Sequence, residues 1–487
     1  MGDLERVFEG IPIPSNPCII SYDVDSIKSY IFAPDEFQKI IGGSVLIRQF
    51  DEEIAENLKD LAVRIFSGGG SGMFLVSKQN CERTKETIVK TFKDKVPGAS
   101  ITVVSEELKK IKEFFETSSQ DRTALISDFK IPTKPTFYGV FSYMASKMGR
   151  EKRNKVRSSE VLVGDNQEPC EICGVGKPEN GRVCRACIEK GNAVENLKFG
   201  SGKGLFEGLW KKMSLNLNEI ATKSSEGQKG WLGVIYGDGN NLGKIYEQIN
   251  IASEYAKFSE NLEKAILKAV ENVAKEWHLY KKFAAPILGG DDLMLLVPAD
   301  RVFNVLESLI SELSTDEFLK SQNITFSFGV AVVPSTLPVR FIFELAQKLL
   351  KSAKESSYAN QRKGFHVAYR FIEMGVFKPK TLFEIGERIY SNLGCGMKYD
   401  EFKKLLNEVV SLKNARKRNL LYKLLSVLET EPAEAIINAY YFCARDDYFK
   451  GRKIRELVDE WVLSKKDGKF LTRIPEMLEM WDFVGEG

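Results

Sequence analysis

The feature that most constrains this chain is an internal repeat of a strand, a helix and a glycine-turned hairpin. Residues 17–23 (PCIISYD) read as a short apolar strand ending in Asp23, followed by helical sequence that includes the run from Gly42. AVRIF (62–66), the cluster Gly68-Gly69-Gly70 and GMFLVS (72–77) then read as two strands joined by a glycine turn. A helix over 81–95, a strand over 99–105 and another helix complete the unit. The order returns with WLGVIYGD (231–238), a long helix from Ala252 to Tyr280, and the hairpin AAPIL (284–288), Gly289-Gly290-Asp291-Asp292, LMLLV (293–297). A helix (301–314), a strand (324–333), a helix (340–355) and a strand (365–371) follow. Two β-α-β-β-α-β units of the ferredoxin-like type fit both copies, so the fold class is α+β.

At 487 residues the chain is long enough for three or four structural units. We place boundaries near 165, 225 and 372: a first repeat copy at 1–165, an insert at 166–225, a second copy at 226–372, and a helical C-terminal part at 373–487, with apolar helical spacing in 401–430 and 433–463. With 43% hydrophobic and 28% charged residues the composition is globular. Lysine plus arginine (70) nearly balance aspartate plus glutamate (67), so a nucleic-acid surface has to be local. No run approaches the ~18 apolar residues of a membrane span. The N-terminus, Met1 to Glu5, lacks an apolar signal core, which predicts a cytoplasmic protein. His278 and His366 are the only histidines, which excludes sites built on histidine clusters, and both read as packed or surface residues.

Two motifs carry chemistry. Asp238 ends a strand, and Asp291 and Asp292 lie on the adjacent hairpin turn. Joining nucleotides needs two divalent ions roughly 4 Å apart, and hard Mg²⁺ or Mn²⁺ prefers carboxylates. These three acids are therefore the expected metal–nucleotide site, with Gly289 and Gly290 allowing phosphates to approach closely. Cys170, Cys173, Cys184 and Cys187 form two CxxC pairs, a spacing that suits a closed, structural tetrahedral Zn²⁺.

On these residues the chain resembles the large polymerase-like subunit of type III CRISPR effector complexes, in the form lacking the HD nuclease domain. The resemblance rests on the GGDD hairpin, on Asp238 followed by Gly239-Asn240-Asn241-Leu242-Gly243, and on a degenerate copy upstream. FSFGVAVVPS and Ala353-Lys354 echo the same palm and its GGDEF cyclase relatives. The family implies two ferredoxin-like palm domains, a zinc-binding insert and a helical C-terminal domain. It implies an antiviral nucleotidyltransferase that makes cyclic oligoadenylate from ATP in a complex with guide RNA, target RNA and other CRISPR-associated subunits. Carried onto this sequence, Asp238, Asp291 and Asp292 are metal ligands, aided by the Gly239 carbonyl. Gly289 and Gly290 lie under the triphosphate, Ser327 lines the nucleotide pocket and Lys354 contacts phosphates. Asn240 and Asn241 contact base or ribose, or cap the following helix.

The first palm has Gly70-Ser71 where the second has Asp291-Asp292, and Asp23 and Asp25 alone do not make a two-ion site. It reads as a structural partner that closes the nucleotide site or accommodates a second ATP. The basic run Lys147 to Arg157 is a solvated helix face or an RNA or subunit contact. Lys413, Arg416, Lys417 and Arg418 read as a solvated face. With no His-Asp pair, DNA cleavage by an HD domain is not expected of this chain. A non-catalytic RNA- and subunit-binding scaffold and a stand-alone cyclic nucleotide synthase are the alternatives.

Overall fold

The structure, a computed structural model, describes residues 3–116, 135–155, 168–199, 205–222, 230–372, 384–385, 389–391, 394–428, 432–450, 464–466 and 469–484. In the first palm, β1 (Pro17–Asp25) leads through the helix Phe37–Asn57 to the hairpin β2 (Ala62–Gly68) and β3 (Ser71–Ser77). The helix Cys81–Lys95 then leads to β4 (Ser100–Glu107). The sheet order is β2-β3-β1-β4 with antiparallel neighbours, the ferredoxin-like arrangement. β1 is central, and its apolar run buries Ile19, Ile20 and Tyr22 completely or nearly so, as expected of a strand covered on both faces.

The insert holds the two-stranded ribbon β5 (Pro178–Asn180) and β6 (Val183–Cys184), followed by the helix Arg185–Phe199. The second palm runs β7 (Trp231–Asn240), helix Ala252–Glu276, β8 (Ala284–Gly289), β9 (Asp292–Pro298), helix Val302–Thr315 and β10 (Thr325–Pro334). The helix Val339–Ala359 crosses over to β11 (His366–Phe371), which pairs parallel to β10. Short strands β12 (Glu384–Ile385), β13 (Ile389–Ser391) and β14 (Met397–Lys398) follow, with β15 (Ser464–Lys466) and β16 (Lys469–Thr472) near the C-terminus. The second sheet has the order β14-β11-β10-β7-β9-β8, so the ferredoxin-like core β10-β7-β9-β8 is extended on one edge. Both palms share one continuous apolar core.

The C-terminal part differs from the expected all-helical segment. Helices Tyr399–Asn414, Arg418–Leu428, Pro432–Arg445 and Ile474–Met480 are present, but β12, β13, β16 and β15 form a four-stranded sheet among them. The Asp467-Gly468 dipeptide between β15 and β16 is a hairpin signal that outweighs helical spacing there. The expected helix over 401–430 breaks after Asn414, where Arg416 takes a positive φ of 58°. The expected helix over 433–463 ends at Arg445, and 451–463 lie outside the described residues. Among the described residues no helix is long and apolar enough to cross a membrane.

The palms meet through specific contacts. Ser44 Oγ donates to the Pro286 carbonyl. Arg48 Nη1 lies 2.6 Å from Glu263 Oε1, and Phe32 stacks on Phe343 with ring centroids 3.9 Å apart. The insert helix packs on the helix Phe37–Asn57 so closely that a Cβ at Gly42 would lie 1.9 Å from the Lys190 carbonyl oxygen, and only glycine fits.

Inside the first palm, buried Asp51 accepts from the Tyr22 hydroxyl (2.7 Å) and from the Gly70 amide (2.7 Å), pinning the glycine turn to β1. Burial pushes the Asp51 carboxyl up to about 7, against the pull of those two donors. The four cysteine sulfurs of the insert lie within 4.8 Å of one another, with Cys173 and Cys184 3.8 Å apart. The Gly176 amide donates to Cys173 Sγ (3.4 Å) and the Cys184 amide to Cys170 Sγ (3.3 Å). A Cβ at Gly176 would meet Cys184 Sγ at 2.5 Å, so the knuckle requires glycine. Hydrogen bonding with Cys187, against burial and with help from the Gly176 and Val175 amides, pulls the Cys173 thiol down to about 4. Four converging sulfurs with amide donors fit a structural zinc.

Two outcomes follow for stability. Because Asp51 binds its proton more tightly folded than unfolded, its contribution is fully present below about pH 4 and is lost as pH rises through about 7. Thermal melts between pH 4 and 8 are expected to show that Asp51→Asn flattens this dependence; parallel profiles for variant and parent would refute it. Elemental analysis is expected to find one zinc per chain. Cys173→Ser with Cys184→Ser should lose it and lower the melting midpoint by several degrees, because metal-binding energy is folding energy.

Candidate active site

The site lies at the end of β7 and the turn between β8 and β9. Strand alternation puts Tyr236, Asp238 and Asn240 on one face and Gly237 and Gly239 on the other. Gly237 lies under the Phe328 ring, where a Cβ would come within 2.6 Å, and Gly239 under Leu242 at 2.7 Å. Packing therefore requires these two glycines.

Gly237 pairs with Leu293, so one step further along the ladder Asp238 lies beside Asp292. Asp291 occupies the turn, its Cβ 3.2 Å from where a Gly239 Cβ would be. In this turn only Gly290 has a positive φ (60°), leaving position 291 free to carry a side chain. In the first palm Gly69 and Gly70 both have positive φ (64° and 79°), and a Cβ at Gly70, the position matching Asp291, would lie 2.6 Å from Ile27 Cδ1, so that position disfavours any side chain. Around Gly289 and Gly290 a Cβ would meet nothing within 4 Å.

Burial pushes the Asp291 carboxyl up to about 7, reinforced by the negative charges of Asp238 and Asp292. Burial also raises Asp238, against the Lys354 ammonium with which it forms an ion pair. Asp292 Oδ2 lies 3.0 Å from Lys28 Nζ, which comes from the first palm and stands 5.4 Å over the Tyr236 ring. Burial lowers the Lys28 pKa, but Asp292 and Tyr236 outweigh it and hold the ammonium above its ordinary range.

Asp292 Oδ1 is buried with no hydrogen-bond partner, and hard carboxylate oxygens suit Mg²⁺ or Mn²⁺, so the donor set fits such ions. Among the described residues, only the cysteine cluster brings three or more metal-type ligand atoms within 4.8 Å of one another, so the three aspartates are neighbours without full convergence. A cavity of about 220 Å³ adjoins the site, lined by Lys28, Gly68 and Gly69 from the first palm and by Leu288, Gly289 and Asp292 from the second.

Other expected site residues have structural partners. Ser327 is fully buried and donates to Asn240 Oδ1 (2.9 Å), while Asn240 Nδ2 donates to Thr325 Oγ1 (3.1 Å). The pair thus ties β10 to the end of β7. Asn241 precedes the helix Leu242–Gln248 with φ 69° and makes no side-chain cap; its amide donates to the Arg362 carbonyl (3.1 Å). His366 is fully buried, its Nδ1 3.0 Å from Ser356 Oγ and its Nε2 3.1 Å from the Lys363 carbonyl.

Along the described part of the basic run three lysines have acidic partners, while Arg150 and Arg153 are exposed. Lys147 pairs with Glu106 (2.7 Å), Lys152 with Asp23 and with Asp25 (3.1 Å), and Lys155 with Asp25 (2.8 Å). Val156 and Arg157 lie outside the described residues. In the C-terminal cluster, Lys413 donates to the Val484 carbonyl, Lys417 pairs with Asp446 (2.8 Å) and Arg418 with Asp482 (2.8 Å).

Asp23 faces Ser71 across β1 and β3, the register that places Asp238 beside Asp292. Its partner Lys152 lies on the helix that packs on β4, as Lys354 lies on the helix that packs on β10. The aspartate–lysine pair therefore survives in the degenerate copy, although its turn acids are gone. Lys28 carried no signal in the sequence, since its role depends on how the two palms dock.

Residues 231–362 match the second palm domain of Cas10/Cmr2. No curated protein matches the chain by sequence. Solved structures share its fold at low identity. A chain of the Csm1-Csm4 cassette in complex with cA4 matches at 15% identity and TM-score 0.51, over 89% of this chain and 65% of that one. The cassette in complex with pppApApA matches at 14% and 0.55, over 99% and 71%. Csm1 in T. onnurineus matches at 12% and 0.55, over 96% and 68%. The chain thus spans 65% of the length of the first of these relatives and about as much of the others. Residues 231–362 thus match a Cas10/Cmr2 second palm domain, and the chain as a whole shares the fold of Csm1.

Proposed function

We propose that the second palm is a nucleotidyltransferase that joins ATP 3′ to 5′ into cyclic oligoadenylate, as the large subunit of a type III CRISPR effector complex with guide RNA, target RNA and partner subunits. The observation that carries this reading is the meeting of Asp238, Asp291 and Asp292 at one sheet end, beside an inter-palm cavity. Solved Csm1-Csm4 cassettes of the same fold are complexes with AMPPNP, with pppApA and with cA4, which supports this reading. The reading keeps the division of the chain near 165, 225 and 372.

In this mechanism Asp238, Asp291 and Asp292 would hold two Mg²⁺ or Mn²⁺ ions, with the Gly239 carbonyl as an added donor. The chemistry such ions would supply there is activation of the attacking 3′-hydroxyl and stabilisation of the departing pyrophosphate. Gly289 and Gly290 let the triphosphate approach the backbone, since no side chain stands over them. Lys354 leaves Asp238 and turns its ammonium to the phosphates. Ser327 and Asn240 act from behind, holding the end of β7 to β10 so that Asp238 keeps its place. Catalysis comes from positioning and electrostatics, with no protein nucleophile.

The test is incubation with ATP and Mg²⁺ or Mn²⁺, with mass spectrometry of the products, on the purified chain and then on the complex assembled with guide and target RNA. Asp291→Ala with Asp292→Ala is expected to reduce product by at least about a thousandfold, the scale of lost two-metal catalysis. Undiminished synthesis in that variant, or silence of the assembled wild-type complex, overturns the reading.

A further inference from the structure

We infer that Lys28, a first-palm residue, is a positioning residue for the second palm's metal site: it holds Asp292 as a counter-ion and must yield it when a divalent cation enters. This rests on the proposed metal-binding role of the aspartates. The two strand-end acids are each held by a lysine, but the lysines differ in origin. Lys354 comes from the same palm as Asp238, whereas Lys28 reaches Asp292 across the interface.

The geometry of Asp292 is that of a half-used ligand. Lys28 Nζ takes Oδ2 at 3.0 Å, while Oδ1 is buried without a hydrogen-bond partner. A cation approaching Oδ1 meets the ammonium as a like charge a few ångströms away, so binding and the ion pair compete. Lys28 is the second residue of the short helix Ile27–Ile31, which follows Ser26 in the left-handed region (φ 52°). Phe32, at the other end of that helix, stacks on Phe343 of the second palm at 3.9 Å. The helix that carries the counter-ion belongs to the first palm and touches the second through Phe32 and Lys28, so the Lys28–Asp292 pair exists only in this docking of the two palms. Metal uptake at the second palm is in this way coupled to how the palms dock.

The repeat isolates the feature. Asp23 matches Asp238 in register, and counting on from each acid sets Lys28 against Gly243. The second palm has no side chain at that position to return the contact, and the first palm has Ser71 where the contact would land. The cross-palm ion pair is therefore one-sided, present only where an acid turn remains.

The experiment is Mn²⁺ titration of the full chain without nucleotide, read as free Mn²⁺ by electron paramagnetic resonance. Lys28→Met, a change at a half-exposed side chain, is expected to tighten Mn²⁺ binding by about fivefold, the worth of a part-exposed ion pair no longer broken. Lys28→Arg should return affinity toward wild type, and the Met effect should vanish in an Asp292→Asn background. Unchanged or weaker binding by Lys28→Met, with Asp292→Asn still weakening it, overturns the proposal alone. Binding insensitive to Asp292→Asn, or absent in both wild type and Lys28→Met, overturns the metal-site reading and the proposal with it. Melting temperatures measured alongside identify any variant whose affinity changed because it unfolded.

Discussion

The crowding of carboxylates at one sheet end is the constraint on which the rest of this structure depends. Asp238, Asp291 and Asp292 come together because β7 and β9 are neighbours and because the β8–β9 turn is short. Burial and mutual repulsion both oppose the charged forms, which is why Asp291 titrates near neutrality and Asp238 above its ordinary range. Lys354 and Lys28 offset this, each satisfying one acid. Uncompensated charge at such a site is costly enough that the apo fold needs both cations or the protonated acid. The first palm is thus an electrostatic component of the site as well as a packing partner.

The degenerate palm shows the same scaffold relieved of that constraint. Its turn uses two residues of positive φ where the active turn uses one, and the buried acid Asp51 binds the turn from beneath through the Gly70 amide. Of the freed strand-end acids, Asp23 pairs with Lys152, and Asp25 pairs with Lys152 and Lys155 and accepts from Ser100 and Thr102. That set of partners pulls Asp25 below the usual carboxylate range, against burial. Acids held this way act as struts between β1, β4 and the helix Phe137–Asn154, which ties the basic run into the fold.

Much of this was legible in the sequence, for identifiable reasons. Both hairpins were readable because apolar runs flank glycines at the turn, and the central strands because they are apolar on both faces. The acids at Asp238, Asp291 and Asp292 and the four cysteines were readable because short-range spacing fixes them. What escaped were features set by long-range docking. Lys28 is five residues past Asp23 in the chain, yet its partner is in the other palm. The hydrogen bond from Ser327 to Asn240 joins two residues far apart in the chain, and only the pairing of β7 with β10 brings them together. The C-terminal sheet joins β13 to β16 across some 80 residues of chain, a pairing that local periodicity does not encode.

A repeat in which one copy has lost its turn acids raises the question of why the lost copy persists. Part of the answer is the shared core: the palms bury a common set of side chains, so neither sheet face is complete alone. Packing by itself, however, would be satisfied by any apolar cover. The docking surface instead includes an arginine–glutamate pair, a serine hydroxyl on a backbone carbonyl and the Lys28–Asp292 contact, all directional. Directional contacts fix the relative placement of two bodies more tightly than apolar burial does. A site whose glycine hairpins face each other across one cavity depends on that placement, because the distance between the turns sets what fits between them. The degenerate copy is best understood as the wall against which the active copy is measured, and its lysine as the point where the two communicate.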